Sequence, residues 1–196
     1  MRVRLIYAKR GGACFVPHIA LAQMFARSAK RAGIILEMTQ GFSPRAKISF
    51  APELPAGVVA LNEPVDIFTL NHYPGIVALM NDSLPEGFTV SRALYPAEGS
   101  PNLGKFCKAA EYLLRATSGH DIAPSAKNFW DKNIIACEKI NGWLKIIVSD
   151  PAQNPIGGLV RNLAAENIIA GWHEINAVRV AVGLYDSESG SVKLWA

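Results

Sequence analysis

An α+β fold is predicted from three observations. Strand and helix patterns alternate as β-α-β-β-α-β over residues 1–95. The same element order recurs over residues 105–196. Half of the 196 residues are apolar, enough for a real core. That order is the split βαβ pattern, so the expected architecture is two ferredoxin-like halves in tandem, packed side by side. Residues 96–104, PAEGSPNLG, read as the linker between them.

Each element has a local reason. RVRLIYA alternates Val3, Leu5 and Tyr7 with Arg2, Arg4 and Ile6, the mark of a half-buried strand. Gly11-Gly12 breaks it, and Pro17 opens a helix over residues 18–32 that Gly33 ends. On that helix Leu21, Met24, Phe25, Ser28, Ala29 and Ala32 form one stripe, while Gln23, Arg27, Lys30 and Arg31 form a cationic outer face. Short strands are expected at 34–39, 47–50 and 65–70, a helix from Pro74 to 81, and a strand over 88–94. The second half predicts strands at 106–117, 134–139, 143–149 and 174–184, with helices at 123–132 and 156–165. A final SESG turn leads into VKLW, which ends at Trp195 and reads as a terminal hairpin strand.

Composition excludes several classes. No apolar run reaches the ~18 residues of a membrane span. MRVRLIYAKR carries arginines where a secretory signal is apolar, so a cytoplasmic location is expected. Cys14, Cys107 and Cys137 form no CxxC pair and fit reduced, buried thiols. His18, His72, His120 and His173 show no HxxxH or HExxH spacing, so no metal and no cofactor is expected.

Charge is unevenly distributed. Residues 1–50 carry nine basic side chains against Glu37 alone, a net +8, whereas the remainder carries −4. A basic quarter on a mildly acidic body points to a polyanion-facing surface, with an ordinary solvated face as the alternative. Within it, Arg27, Lys30 and Arg31 would meet phosphates. The GFSPRAKISF stretch offers Phe42 as a stacking face and Ser43, Arg45 and Lys47 as donors.

The opening strand MRVRLIYAKR, FVPHIALAQMFARSAKRAG, QGFSPRAKISFAPELPAGV and VDI together resemble one family. Residues 2–66 look like the bacterial radical SAM-linked domain of unknown function, with matching Gly41-Phe42-Ser43-Pro44 and Leu54-Pro55-x-Gly57 turns and the Lys47–Phe50 strand. Relatives usually read Ser-His-Leu-Asp where this chain has Pro17-His18-Ile19-Ala20, and Gln23 replaces a common basic residue. The resemblance implies a radical SAM protein as partner and a setting of RNA processing or ribosomal components. The CxxxCxxC run that holds a radical SAM cluster is missing, so this chain would serve as a partner or substrate presenter.

Catalytic signals are sparse. His18 follows the first strand at a place where CRISPR-processing endoribonucleases carry a general acid–base histidine, but their glycine-rich C-terminal motif has only Pro155-Ile156-Gly157-Gly158 as a counterpart. That turn lacks the GK[ST] ending of a P-loop and reads as structural. His173-Glu174 is expected to point to opposite faces of a strand. Trp130, Trp143, Trp172 and Trp195 fill cores or line a groove. The leading expectation is therefore a non-enzymatic accessory protein that binds RNA or a ribonucleoprotein through residues 18–50. An RNA-acting enzyme with a site near His18 is the first alternative. A protein-interaction module using the Trp-rich second half is the other.

Overall fold

The computed structural model describes residues 1–194, so Ala196 and the Trp195 end of the expected hairpin strand lie outside the described residues. Among these residues the chain is a mixed α/β protein with nine strands and five helices. The first part contains β1 (Arg2–Lys9), α1 (His18–Arg31), β2 (Ile48–Phe50), β3 (Val59–Phe68), α2 (Ile76–Asn81) and β4 (Phe88–Leu94). A short α3 (Leu103–Phe106) follows. The second part contains β5 (Ala109–Ala116), α4 (Ala123–Trp130), β6 (Ile134–Ile140), β7 (Trp143–Ser149), α5 (Ile156–Ala165), β8 (Ile175–Asp186) and β9 (Ser191–Lys193).

One sheet takes in both parts, in the order β4-β1-β3-β8-β5-β7-β6, with β2 paired to β3 and β9 to β8. The sheet thus does not stop at the end of the first half, a continuity that the expectation of two halves did not include. Within the first half the order is β4-β1-β3-β2, and within the second β8-β5-β7-β6, with every pair antiparallel. The halves meet where β3 and β8 run parallel, over Val59↔Val178 and Ala60↔Arg179.

The strand expected at 34–39 is instead a pair of isolated bridges, Leu36↔Thr69 and Met38↔Ala46. The segment changes partner every two residues and so builds no ladder. β3 begins six residues earlier than expected and runs through Pro64. Pro64 lies between the stretch of β3 that pairs with β2 and the stretch that pairs with β8, so on that edge a missing N–H breaks no ladder.

Each half packs its helices on its own core. Leu21, Phe25 and Ala29 of α1 and Ile76 and Met80 of α2 cover Val3, Leu5, Tyr7, Val65 and Ile67. In the second half, Trp130 of α4 and Ile156, Leu159 and Leu163 of α5 cover Tyr112, Leu114, Ile146 and Val182. Ala51, Leu54, Val58 and Ala60 belong to the first half by sequence, yet their side chains are part of the second core. Leu103 and Phe106, just beyond PAEGSPN, are also buried there.

The seam carries a buried ion pair. Arg179 donates to Glu63 through Nε at 2.7 Å and again through Nη2, and Nη2 also reaches the Pro52 carbonyl at 2.9 Å. Both side chains are almost fully enclosed. Removing one partner would strand the other charge in a dry interior, which costs several kcal/mol, whereas removing both would not. Glu63→Gln or Arg179→Met alone is therefore expected to lose about 3–5 kcal/mol in urea unfolding, with much of it recovered in the double variant Glu63→Leu/Arg179→Met. Single variants within about 0.5 kcal/mol of the parent would remove this pair from the stabilising interactions.

Candidate functional site

The candidate surface begins at the end of α1. Gly33, at φ +71°, closes the helix: its N–H donates to Lys30 O and the Ile34 N–H donates to Ala29 O. This paired stop needs a left-handed residue, which glycine supplies at least cost. It turns the chain sharply, so residues 35–47 run back beside the helix. Thr39 N–H donates to Arg45 O, Arg45 N–H to Thr39 Oγ1, and Lys47 N–H to Glu37 O. These bonds hold residues 40–44 as a projecting loop with Phe42 fully exposed near its tip.

A groove lies between the helix and this excursion. One lobe, about 510 Å³, is lined by Ile19, Ala22, Gln23, Ala26, Arg45 and Ala46. A second lobe, about 520 Å³, shares Ala26, Arg45 and Ala46 and adds Lys30, Ile35 and Met38 among others. Its exposed apolar residues are large: Ile19 is 88% exposed, and Ile35 and Met38 are about half exposed. The sequence reading passed over these side chains. Their signal was available, because Ile19, Ala22 and Ala26 lie off the buried stripe of α1 and form a second apolar line.

The nine cations of residues 1–50 do not act together. Arg4 and Lys9 are buried and Arg2 is largely enclosed, so the +8 segment does not present a continuous basic face. Six remain exposed: Arg10, Arg27, Lys30, Arg31, Arg45 and Lys47. Arg31 donates to Ser83 O at 2.6 Å and to Ser28 Oγ at 3.0 Å. Lys47 pairs with Glu37 at 3.2 Å and stands 4.2 Å over the Phe68 ring. Lys30 and Arg45 rim the groove. Arg27 lies with Arg31 on the other flank of α1, toward Pro85. Ser43 is exposed on the same loop as Phe42. The structure thus brings Lys30, Arg45 and the 41–44 loop together and leaves Arg27 and Arg31 apart from them.

His18, the first residue of α1, is half-buried, with its ring edge-on to Phe50 at 5.4 Å. Burial lowers its pKa first, Glu53 opposes this, and Arg179 adds to the lowering. The imidazole is neutral at pH 7, and no hydrogen bond to it is formed among the described residues. Among those residues no cluster of three His, Cys, Asp or Glu side chains is placed to hold a metal.

The remaining sequence candidates are scattered. Trp130 is buried against Tyr112, Trp143 lies under Arg115, and Trp172 is part-exposed in a 3-10 turn. His173 and Glu174 belong to that turn rather than to a strand, because the Glu174 carboxylate accepts the Ala170 N–H and holds the chain tightly. Gly158 has a packing role: a Cβ there would stand 2.7 Å from the Phe129 ring. Burial pushes the Cys107 thiol up to about 12 and that of Cys14 upward, so neither is poised as a nucleophile. No helix among the described residues is long and apolar enough to cross a membrane.

Fold and surface together define a mixed α/β protein with an open, apolar, cation-rimmed groove. The chain belongs to the family described as an uncharacterized protein conserved in bacteria (DUF2344), whose match covers residues 2–145. No curated protein matches it significantly. The family match takes in the whole groove and ends inside β7, short of α5 and β8.

The position of His18 gives a pH test. Because folding lowers its pKa, the unfolded chain binds the proton more readily, and stability is lost as pH falls through the ordinary value of 6.5. The melting temperature is expected to drop between pH 7.5 and pH 5, and His18→Gln should flatten that drop. Equal slopes for parent and variant would mean that His18 carries none of it.

Proposed function

We propose that this chain is a non-catalytic accessory protein that docks a partner protein on the groove between α1 and residues 33–46. The carrying observation is the concentration of exposed Ile19, Ile35 and Met38 along one groove whose rim is cationic, with Phe42 exposed on the adjoining loop. Burying a large apolar side chain contributes about 1.5–3 kcal/mol, while an exposed ion pair contributes about 0–1 kcal/mol. Apolar anchors would therefore supply most of the affinity, and Lys30 and Arg45 would select an acidic rim and speed encounter. The matching occupant is a segment with apolar anchors flanked by carboxylates.

The resemblance of residues 2–66 supplies a candidate: a radical SAM protein of the same bacterium, met in the cytoplasm. We read the two 4-1-3-2 strand orders as ferredoxin-like units, one presenting the groove and the other bracing it. A second reading keeps RNA as the ligand, favoured by Phe42 standing free beside Arg45 on a projecting loop. An enzyme acting near His18 has less support, because no second acid–base group bonds to that ring.

Isothermal titration of the purified chain against a radical SAM protein of the same bacterium tests the docking reading. Ile19→Asp and Met38→Asp should each weaken binding by about tenfold or more without lowering the melting temperature, since both side chains are exposed. Single-stranded RNA anisotropy over a salt series is the counterpart measurement. Micromolar, salt-sensitive RNA binding that is lost in Lys30→Ala/Arg45→Ala, with the Asp variants neutral, would replace the protein partner with RNA.

A further inference from the structure

The groove opens onto an unpaired strand edge. Residues 45–50 run as one extended stretch whose partners all lie on one side. Ile48, Ser49 and Phe50 pair with Ile67, Asp66 and Val65 of β3. Before them, the Thr39 N–H donates to Arg45 O and the Lys47 N–H to Glu37 O, each at 2.7 Å, and the Phe68 N–H donates to Lys47 O at 3.2 Å. Arg45, Lys47 and Ser49 thus turn their backbone groups inward. Direction alternates along an antiparallel strand, so Ala46, Ile48 and Phe50 turn theirs outward. β2 has β3 as its one partner strand among the described residues. Neither the N–H nor the carbonyl of Ala46 forms a hydrogen bond there. Pro44 and Pro52 bound the stretch, so this edge admits one short segment and not a growing sheet.

α1 flanks the edge. The Phe50 ring lies 5.4 Å from the His18 ring and 5.9 Å from that of Phe25, while Ala46 lines the groove opposite Ala22 and Ala26. Ile48 and Phe50 turn their side chains to the α1 core. A strand laid along this edge would place alternate side chains on that same face, against Ile19, Ala22 and Ala26. The small alanines leave room for its backbone. A helix in the groove would leave the outward groups of Ala46, Ile48 and Phe50 unpaired, because its own backbone bonds are internal. Lys30 and Arg45 stand together at one end, and among the described residues neither side chain pairs with a carboxylate.

We propose that the groove takes an extended segment of a partner protein, added as a further strand on the outer edge of residues 45–50. Its apolar side chains occupy alternate positions toward α1, and a carboxylate lies at the Lys30–Arg45 end. The proposal rests on the docking reading and supplies the conformation of the docked segment. Main-chain bonds give such a complex affinity, and the alternate side chains give it specificity. A second copy of this edge fits less well: residues 45–50 carry Arg45 and Lys47 and no acid, so they bring no carboxylate to the rim.

The test uses the full chain and labelled synthetic peptides, read by fluorescence anisotropy and by residue-resolved amide hydrogen exchange. The extended probe is a heptapeptide of one Glu followed by alternating Val and Thr. Two further forms carry N-methyl groups on one or the other alternate set of amides. A Glu-flanked amphipathic Leu/Ala helix is the comparison. The extended probe is expected to bind saturably and to slow exchange at the Ala46, Ile48 and Phe50 amides. One N-methylated form should bind about tenfold more weakly and the other should match the parent peptide, since one set of amides faces the edge. Ala46→Pro removes an outward N–H that bonds to nothing in the fold, and should weaken the extended probe about tenfold at an unchanged melting temperature. If that variant fails to fold, the N-methylated pair decides. Binding of the helix with the three amides unprotected would overturn strand addition and leave the docking reading standing. Equal binding of both N-methylated forms would do the same. No binding by either kind of peptide would overturn both. Protection of the same amides without peptide, rising with a dimer in sedimentation, would give the edge to a second copy and overturn the partner.

Discussion

The contact between Arg179 and Glu63 is the constraint on which the rest of the molecule depends. The two halves share only two parallel residue pairs of sheet, too short a ladder to fix their relation alone. The guanidinium adds what the ladder lacks. It binds the Glu63 carboxylate on β3 and the Pro52 carbonyl of the turn before it, while its own strand is the neighbour of β5. Burial works against the charge on Arg179, and Glu63 together with Tyr112 outweighs it, so the guanidinium holds its proton more tightly than usual. Such pairs add little net stability over an apolar replacement, but they penalise any register in which the partners miss each other. Here the register in question is that of one half of the protein against the other.

That constraint also explains why the second core borrows from the first half. Once Arg179 holds residues 52–53, Ala51, Leu54 and Val58 are placed over the second core rather than over their own. The link at 96–104 is correspondingly not a loose tether at its far end: Asn102 caps α3, and Leu103 and Phe106 sit inside. The groove, by contrast, is built entirely from residues 19–46 and is set by the α1 stop at Gly33.

Much of the secondary structure was legible in the residues. α1 with its glycine stop, β4, β7 and α5 follow from periodicity and capping chemistry, because those signals are local. The shared sheet was not legible, since alternation assigns a face to each side chain but does not name the neighbouring strand. Charge misled for a related reason. Alternation correctly put Arg2 and Arg4 opposite Val3 and Leu5, but the second face is roofed by the chain around Ser100 and Phe106, so outward did not mean solvent. At the groove, attention to cations on α1 hid Ile19, whose exposure depends on no neighbouring helix covering that flank.

The strand order has a consequence for how the protein comes into being. β8, which sits at the centre of the sheet, leaves the ribosome more than a hundred residues after β3, its neighbour. During that interval the nascent first half presents the open edge of β3 near Val59 together with Leu54 and Val58, whose burial requires residues not yet made. Open edges of this kind recruit other strands. Synthesis therefore passes through a stage in which a holding chaperone, or prompt completion of the chain, protects the young polypeptide from joining its neighbours.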